Sequence, residues 1–186
     1  MIALPPIPSW QGLHPLVVHF PIALLLTAPL FVVIGALRKR GGTPFLIAAL
    51  VLMALGTAGT FLAVATGEAA GRIAERTPEI NAVLERHEQL AETARITFSV
   101  LTAVFAAMVL IPALLRRASN RLISTAFPLV FLVFYAAGAV LLANTAHNGG
   151  RLVHELGVKA LMPQSATAEP ATRPQDALLE PAATGR

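Results

Sequence analysis

The sequence predicts an all-α fold, an integral membrane four-helix bundle with an extended outer helix leading into span three. Two observations predict it. Hydrophobic residues make up 55% of the 186 residues and charged residues only 13%. The apolar residues collect in four blocks of about 20 residues, the length at which a helix crosses the roughly 30 Å hydrocarbon core of a bilayer. Helices are required there because lipid offers backbone groups no hydrogen-bond partners.

The same pattern divides the chain into three parts. Residues 1–13 form an outer N-terminal segment, and residues 14–161 form the four-helix transmembrane domain. Residues 162–186 are rich in Pro, Ala and Thr and poor in large apolar side chains, which predicts a disordered tail. The spans themselves are predicted at about 15–37, 44–66, 95–115 and 122–145.

The first two spans contain residues that shape helix packing. Pro21 and Pro29 lie inside span one and predict kinks, because proline removes a backbone hydrogen bond. Gly56 and Gly59 give span two a face of small residues. Such a face allows a neighbouring helix to approach closely.

The later helix boundaries are predicted from capping residues. The run Thr77–Glu79 is typical of a helix start, with a capping residue, a proline at the first helical position and an acid. We expect this helix to continue without a break into span three. The pair Gly149 and Gly150 is predicted to end or bend the helix of span four, since glycine commonly terminates helices.

The charged segments predict the orientation in the membrane. The segments after spans one and three carry basic residues and no acids, whereas the segment between spans two and three carries six glutamates. Basic residues favour the cytoplasmic side. Both termini and all the histidines are therefore predicted on the periplasmic side of a bacterial inner membrane.

The histidines are the clearest functional signal, because ionisable residues in or near a span are costly and usually functional. All five lie on the predicted outer side, at the ends of spans one and four or in the helix that leads into span three: His14, His19, His87, His147 and His154. His14 and His19 differ by about 140° around a regular helix, so they are not expected to bind one ion together. We predict His19 and His147 as an inner ligand pair, and His14, His87 and His154 as candidates for a second site.

Haem b is the first of three interpretations of these histidines. Helical bundles bind haem in their core through side chains of facing helices, and histidine is the usual axial ligand. Arg95 and Arg151 are available to pair with the haem propionates. In a purely structural interpretation, the histidines are only interfacial hydrogen-bonding residues.

A copper or zinc site is the remaining interpretation. It would combine His19 and His147 with Glu68 or Glu88, because imidazole suits both metals. The chain contains no cysteine, which excludes thiolate metal sites, disulfides and covalent c-type haem attachment.

Other function classes find no support in the sequence. Aromatic residues are not interleaved with the basic ones, which argues against nucleic-acid binding. No glycine-rich phosphate loop with lysine and no serine in a nucleophile elbow is present. The sequence therefore favours an electron-transfer or binding protein over a hydrolytic enzyme.

A resemblance to a known family rests on several short motifs. The run from Leu13 to Leu24, which contains HPLVVHFPI, resembles the opening signature HP-x-x-VHFPI of the bacterial membrane family catalogued as domain of unknown function 2231. The resemblance continues at residues 67–71, 87–88 and 147–153, and it covers roughly residues 10–160.

The resemblance implies a four-span membrane protein whose characteristic residues are largely histidines and glycines. Some members of this family are joined to cytochrome-c-like domains, which implies a role in electron transfer and favours haem. The expected partners are the lipid bilayer, a quinone or a separate periplasmic c-type cytochrome, and a second copy of the chain in a homo-oligomer.

Overall fold

The computed structural model describes residues 7–38, 40–115 and 121–159. A 3₁₀ turn, Trp10–Leu13, leads into the helices, which are α1 (His14–Val17), α2 (His19–Leu37), α3 (Thr43–Gly71), α4 (Pro78–Leu114) and α5 (Arg121–His154). The predicted disordered tail, most of the N-terminal segment, Lys39 and the basic run 116–120 lie outside the described residues.

In the part of the chain that the structure describes, four helical segments are long and apolar enough to cross a membrane: Trp10–Leu37, Thr43–Gly71, Pro78–Pro112 and Thr125–His154. Each helix packs against the next, and α2 also packs against α5, which closes the four helices into a ring. The prediction of an all-α membrane four-helix bundle is confirmed. The protein is a multi-pass membrane protein in contact with the lipid bilayer.

Helices α2 and α3 pack closely through the glycines that the sequence analysis identified. A Cβ atom added to Gly56 would lie 2.7 Å from Leu25 Cγ, and one added to Gly59 would lie 3.1 Å from Phe20 Cδ1. A side chain at Gly56 would clash with Leu25, and one at Gly59 would require Phe20 or Pro21 to shift. The prediction of a small-residue packing face in span two is confirmed.

Helix α4 begins as its capping sequence predicts and extends well beyond the membrane. The Ile80 amide donates a hydrogen bond to the Thr77 hydroxyl at 3.2 Å, which caps the first turn. The helix has 37 residues and is therefore about 55 Å long, nearly twice the hydrocarbon thickness. Its first turns pack against α5 through buried Val83, Leu84 and Leu152.

The predicted end of the span-four helix at Gly149 and Gly150 is wrong. Helix α5 continues through both glycines to His154, and the left-handed turn comes at Gly157, with φ of 67°. The first turns of α4 explain the difference, because their apolar side chains give Leu152 a surface to pack against outside the membrane. Packing of that surface stabilises the last turns of α5 despite the low helix propensity of glycine.

The two prolines of span one have different consequences. Pro21 lacks the N–H that would bond the Val17 carbonyl, and the helix is interrupted at Val18, between α1 and α2. Pro29 lies inside α2 and leaves the Leu25 carbonyl without its usual helical donor. The Tyr135 hydroxyl of α5 donates to that carbonyl at 2.7 Å, and the Tyr135 side chain is buried.

We expect Tyr135→Phe to lower the free energy of unfolding by about 1 to 2 kcal/mol, because the Leu25 carbonyl then has no donor in an apolar interior. In a Pro29→Ala background the restored amide at position 29 can bond this carbonyl, so the loss should be smaller. Unfolding of the four proteins of this double-mutant cycle in detergent micelles measures the difference. An equal loss in both backgrounds would contradict the pairing.

Candidate functional site

All five histidines lie at one end of the bundle, where α1 and α4 begin and α3 and α5 end. We call this the histidine end. It contains a cavity of about 700 Å³ that His14 and His87 both line. Apolar side chains of Ile80, Leu84 and Leu152 form part of its wall.

His14 is held by the last turns of α3. Its Nδ1–H donates to the Ala63 carbonyl at 2.9 Å and lies 3.3 Å from the Thr66 hydroxyl oxygen. Thr66 in turn donates its own proton to the Leu62 carbonyl at 2.8 Å. Because a carbonyl can only accept, Nδ1 of His14 carries the ring proton and Nε2 has an unprotonated lone pair in the neutral ring.

His87 is held in the same way by the last turns of α5. Its Nδ1–H donates to the Thr145 carbonyl at 2.9 Å. In the neutral ring, Nε2 again has the lone pair. Each imidazole therefore comes from the first helix of a helical hairpin and is fixed by a backbone carbonyl near the end of the second.

The two imidazoles approach each other across the bundle. Their ring centroids are 6.2 Å apart, and the ring planes meet at 83°. Within the described residues, neither α1 nor α2 packs against α4, so the rings come from diagonally opposed corners. Neither Nε2 atom has a hydrogen-bond partner among the described residues. Every fully buried side-chain nitrogen or oxygen in those residues does have a partner, so neither Nε2 atom is fully buried. Both Nε2 atoms therefore keep access to the cavity.

A glycine lies beside each imidazole, four residues after the carbonyl that the imidazole bonds. Gly67 follows Ala63 in this way, and a Cβ atom on it would lie 2.8 Å from His14 Cε1. Gly149 follows Thr145, and its Cβ atom would lie 3.0 Å from His87 Cε1. In a helix the residue four positions on lies over the carbonyl, so a glycine leaves that carbonyl open to an outside donor.

A family model described as predicted membrane protein DUF2231 matches residues 11–161. The chain belongs to the DUF2231 family. No curated protein and no solved structure matches it. The DUF2231 match spans the four helices and includes all five histidines, so the resemblance found in the sequence motifs is confirmed.

The remaining histidines of this DUF2231 domain do not line the cavity. His19 is exposed, and its Nδ1–H donates to the Pro15 carbonyl at 2.6 Å, where α1 gives way to α2. His147 and His154 are also exposed, on α5. The structure therefore brings His14 together with His87. His19 and His147 share no cavity, and their role as an inner ligand pair stays a prediction.

The charged residues predicted for the site have local partners or lie at its edge. Arg95 pairs with Glu92 and lies over the Phe61 ring, 5.1 Å from its centroid, while Arg151 pairs with Glu155 at 2.8 Å. Neither arginine lines the cavity.

The two predicted acidic metal ligands do line the cavity. Glu68 is exposed and lies 4.0 Å from the Arg72 guanidinium. The Glu88 carboxylate lies against Gly71, where an added Cβ atom would come within 2.9 Å of Oε1. Within the described ranges, no three His, Asp or Glu side chains gather closely enough to hold a metal ion.

The sequence grouped His14 and His87 with His154 as a second site but did not single out this pair, although a signal for the pair was available. Both carbonyl positions are followed by glycine after four residues, in the stretches 63–67 and 145–149. This repeated spacing, at the ends of the second and fourth spans, marks the two helices that hold the imidazoles.

Proposed function

We propose that the protein binds one b-type haem at the histidine end, with His14 and His87 as axial ligands, and transfers single electrons. The observation that carries this proposal is the matched pair of imidazoles, 6.2 Å apart and contributed by diagonally opposed helices. When bound, haem supplies one-electron chemistry at a potential that its ligands and surroundings adjust.

The separation of the rings supports ligation of one metal ion by both. Imidazole nitrogen binds metal ions at about 2 Å, so two opposed imidazoles on one ion have ring centroids roughly 6 Å apart. The observed centroid distance of 6.2 Å agrees with this value. Direct ring packing brings aromatic centroids to about 4.5–7 Å and fits this distance too, so the open Nε2 atoms and the cavity are needed to favour ligation.

The number of protein donors favours haem over the alternative of copper or zinc. A zinc site requires three or four protein ligands. The described residues bring two imidazoles together, and no third His, Asp or Glu side chain lies close enough to complete a metal site with them. Two axial ligands are sufficient for haem, because the macrocycle itself supplies four nitrogens.

The hydrogen bonds of the two Nδ1 atoms support a ligand role as well. Histidine ligands commonly donate their other ring N–H to a carbonyl or carboxylate, which fixes the tautomer and the ring orientation. The Ala63 and Thr145 carbonyls do this for His14 and His87. The rings are thus held in position before any ligand arrives, which lowers the entropy lost on binding.

The surroundings of the imidazoles suit a large, mostly apolar group with a charged edge. A volume of about 700 Å³ lies in the range of cofactor sites. Apolar side chains of α4 and α5 exclude water from one part of the cavity, and Lys159 lines another part. Lys159 is a cation that can pair with a propionate, a role that the sequence analysis gave to Arg95 and Arg151.

The predicted topology suggests the electron-transfer partners. Loop charge favours the periplasmic side of a bacterial inner membrane for the histidine end. There a haem would lie near both the lipid phase and the aqueous surface. We propose a quinol in the membrane and a separate c-type cytochrome as the two classes of partner.

The test is the absorption spectrum of the protein purified in detergent from cells supplied with a haem precursor. We expect a Soret band and sharp α and β bands on reduction, with one haem per chain in a pyridine haemochrome assay. Elemental analysis of the same sample measures copper and zinc. A colourless protein from haem-replete cells, with stoichiometric copper or zinc, would overturn the proposal.

The angle between the ligand rings makes a finer prediction. Perpendicular axial imidazoles leave the two iron d orbitals that bond with them nearly equal in energy. Because the rings meet at 83°, we expect the oxidised protein to give a highly anisotropic low-spin signal in electron paramagnetic resonance. A rhombic low-spin signal would contradict this ring geometry and still leave haem binding in place.

A further inference from the structure

We propose that the end of the bundle opposite the histidine end binds the phosphate headgroup of an anionic phospholipid. The site is a second cavity, of about 390 Å³, between the end of α2, the start of α3 and Thr125 of α5. Its volume lies in the range of small-molecule sites. This inference is independent of the haem proposal, because the two cavities share no residue.

The charge of this cavity is positive and has no partner in the described residues. Arg38 and Arg40 line it, and none of the acidic residues that the structure describes does. The ion pairs found in the described ranges involve neither arginine. Guanidinium groups bind phosphate oxygens through two parallel N–H donors. A phosphate group would therefore supply the missing negative charge.

Local contacts position Arg38 and shape the turn that lines the cavity. The Arg38 guanidinium lies over the Phe45 ring, 4.9 Å from its centroid, which is the geometry of a cation–π contact. A Cβ atom on Gly42 would lie 2.2 Å from the Gly35 carbonyl oxygen, so this tight turn requires glycine. Gly41 has φ of 69°, a left-handed conformation that other residues rarely adopt.

The position of the cavity favours a lipid as the source of the phosphate. Helix α2 ends at Leu37, directly before Arg38, and the Leu37 side chain is exposed. Ile47, in the second turn of α3, is exposed as well. These apolar side chains offer contact to acyl chains next to the basic cavity. A lipid headgroup is always present at this level of the membrane, whereas free phosphate must come from solution.

The predicted topology agrees with this assignment. The positive-inside rule puts the Arg38 and Arg40 segment on the cytoplasmic side. Basic pockets between membrane helices on that side are a known form of headgroup site, and each basic residue near an anionic surface strengthens binding about fivefold. Removing both arginines should therefore weaken binding roughly 30-fold.

The experiment measures lipid binding to the purified full-length protein by native mass spectrometry in detergent, with phosphatidylglycerol as the probe. The site variant is Arg38→Gln/Arg40→Gln. The matched control is Arg72→Gln/Arg86→Gln, which removes the same charge from the histidine end. We expect one tightly bound phosphatidylglycerol on the wild type and the control, and a loss of about 30-fold in affinity in the site variant.

Two competitors identify the source of the phosphate. Phosphatidylcholine tests whether net negative charge is needed, and inorganic phosphate tests whether the anion alone is sufficient. We expect neither to displace phosphatidylglycerol at equal concentration. Equal binding of phosphatidylglycerol to the site variant, or displacement by either competitor, would overturn the proposal. Thermal unfolding without lipid verifies that both variants are folded.

Discussion

His14→Ala and His87→Ala are each expected to leave less than about a tenth of the wild-type haem content after purification. Losing one of two axial bonds should cost well over the 1.4 kcal/mol that corresponds to a tenfold change in affinity. Haem per chain by the pyridine haemochrome assay, with the height of the reduced α band, measures the effect.

Matched controls separate ligation from folding. His147→Ala and His154→Ala remove exposed imidazoles outside the cavity at the same end of the bundle, and both should retain wild-type haem content. Added imidazole should restore the α band of His87→Ala, because a free imidazole fits the space of the lost ring. Loss of haem in His19→Ala/His147→Ala, with retention in His14→Ala and His87→Ala, would favour the ligand pair that the sequence predicted.

The features that were predictable from the sequence depend on one helix at a time. Hydrophobic length defines a membrane span regardless of its neighbours, since the bilayer acts as the solvent. The start of α4 follows from a local hydrogen bond between Ile80 and Thr77. The small-residue face of α3 at Gly56 and Gly59 is also visible in the sequence, because in membrane helices close packing itself drives association.

The features that the sequence did not predict depend on how helices are rotated against one another. The pairing of His14 with His87 requires the relative rotation of two helices whose backbones, within the described residues, do not pack against each other. The continuation of α5 past Gly149 likewise depends on the early turns of α4.

Gly67→Ala and Gly149→Ala are expected to reduce haem affinity by about 10- to 100-fold, the range seen when groups that orient a metal ligand are disturbed. The new methyl group at position 67 would lie 2.8 Å from His14 Cε1, and that at position 149 would lie 3.0 Å from His87 Cε1. The His14 imidazole must then shift, and the His87 imidazole must give by a few tenths of an ångström, which disturbs the hydrogen bond that each makes to its carbonyl. Haem titration of the apoprotein, followed by the Soret band, measures the affinity.

Gly150→Ala is the matched control for Gly149→Ala, because it makes the same change one residue later in the same helix. A Cβ atom at Gly150 would meet no atom within 4 Å. Both exchanges raise helix propensity by about 1 kcal/mol, so neither should destabilise α5 through its backbone. If Gly149→Ala and Gly150→Ala bind haem equally well, the contact between Gly149 and His87 does not position a ligand. If only Gly149→Ala loses haem, the glycine that was predicted to end a helix instead makes room for an imidazole.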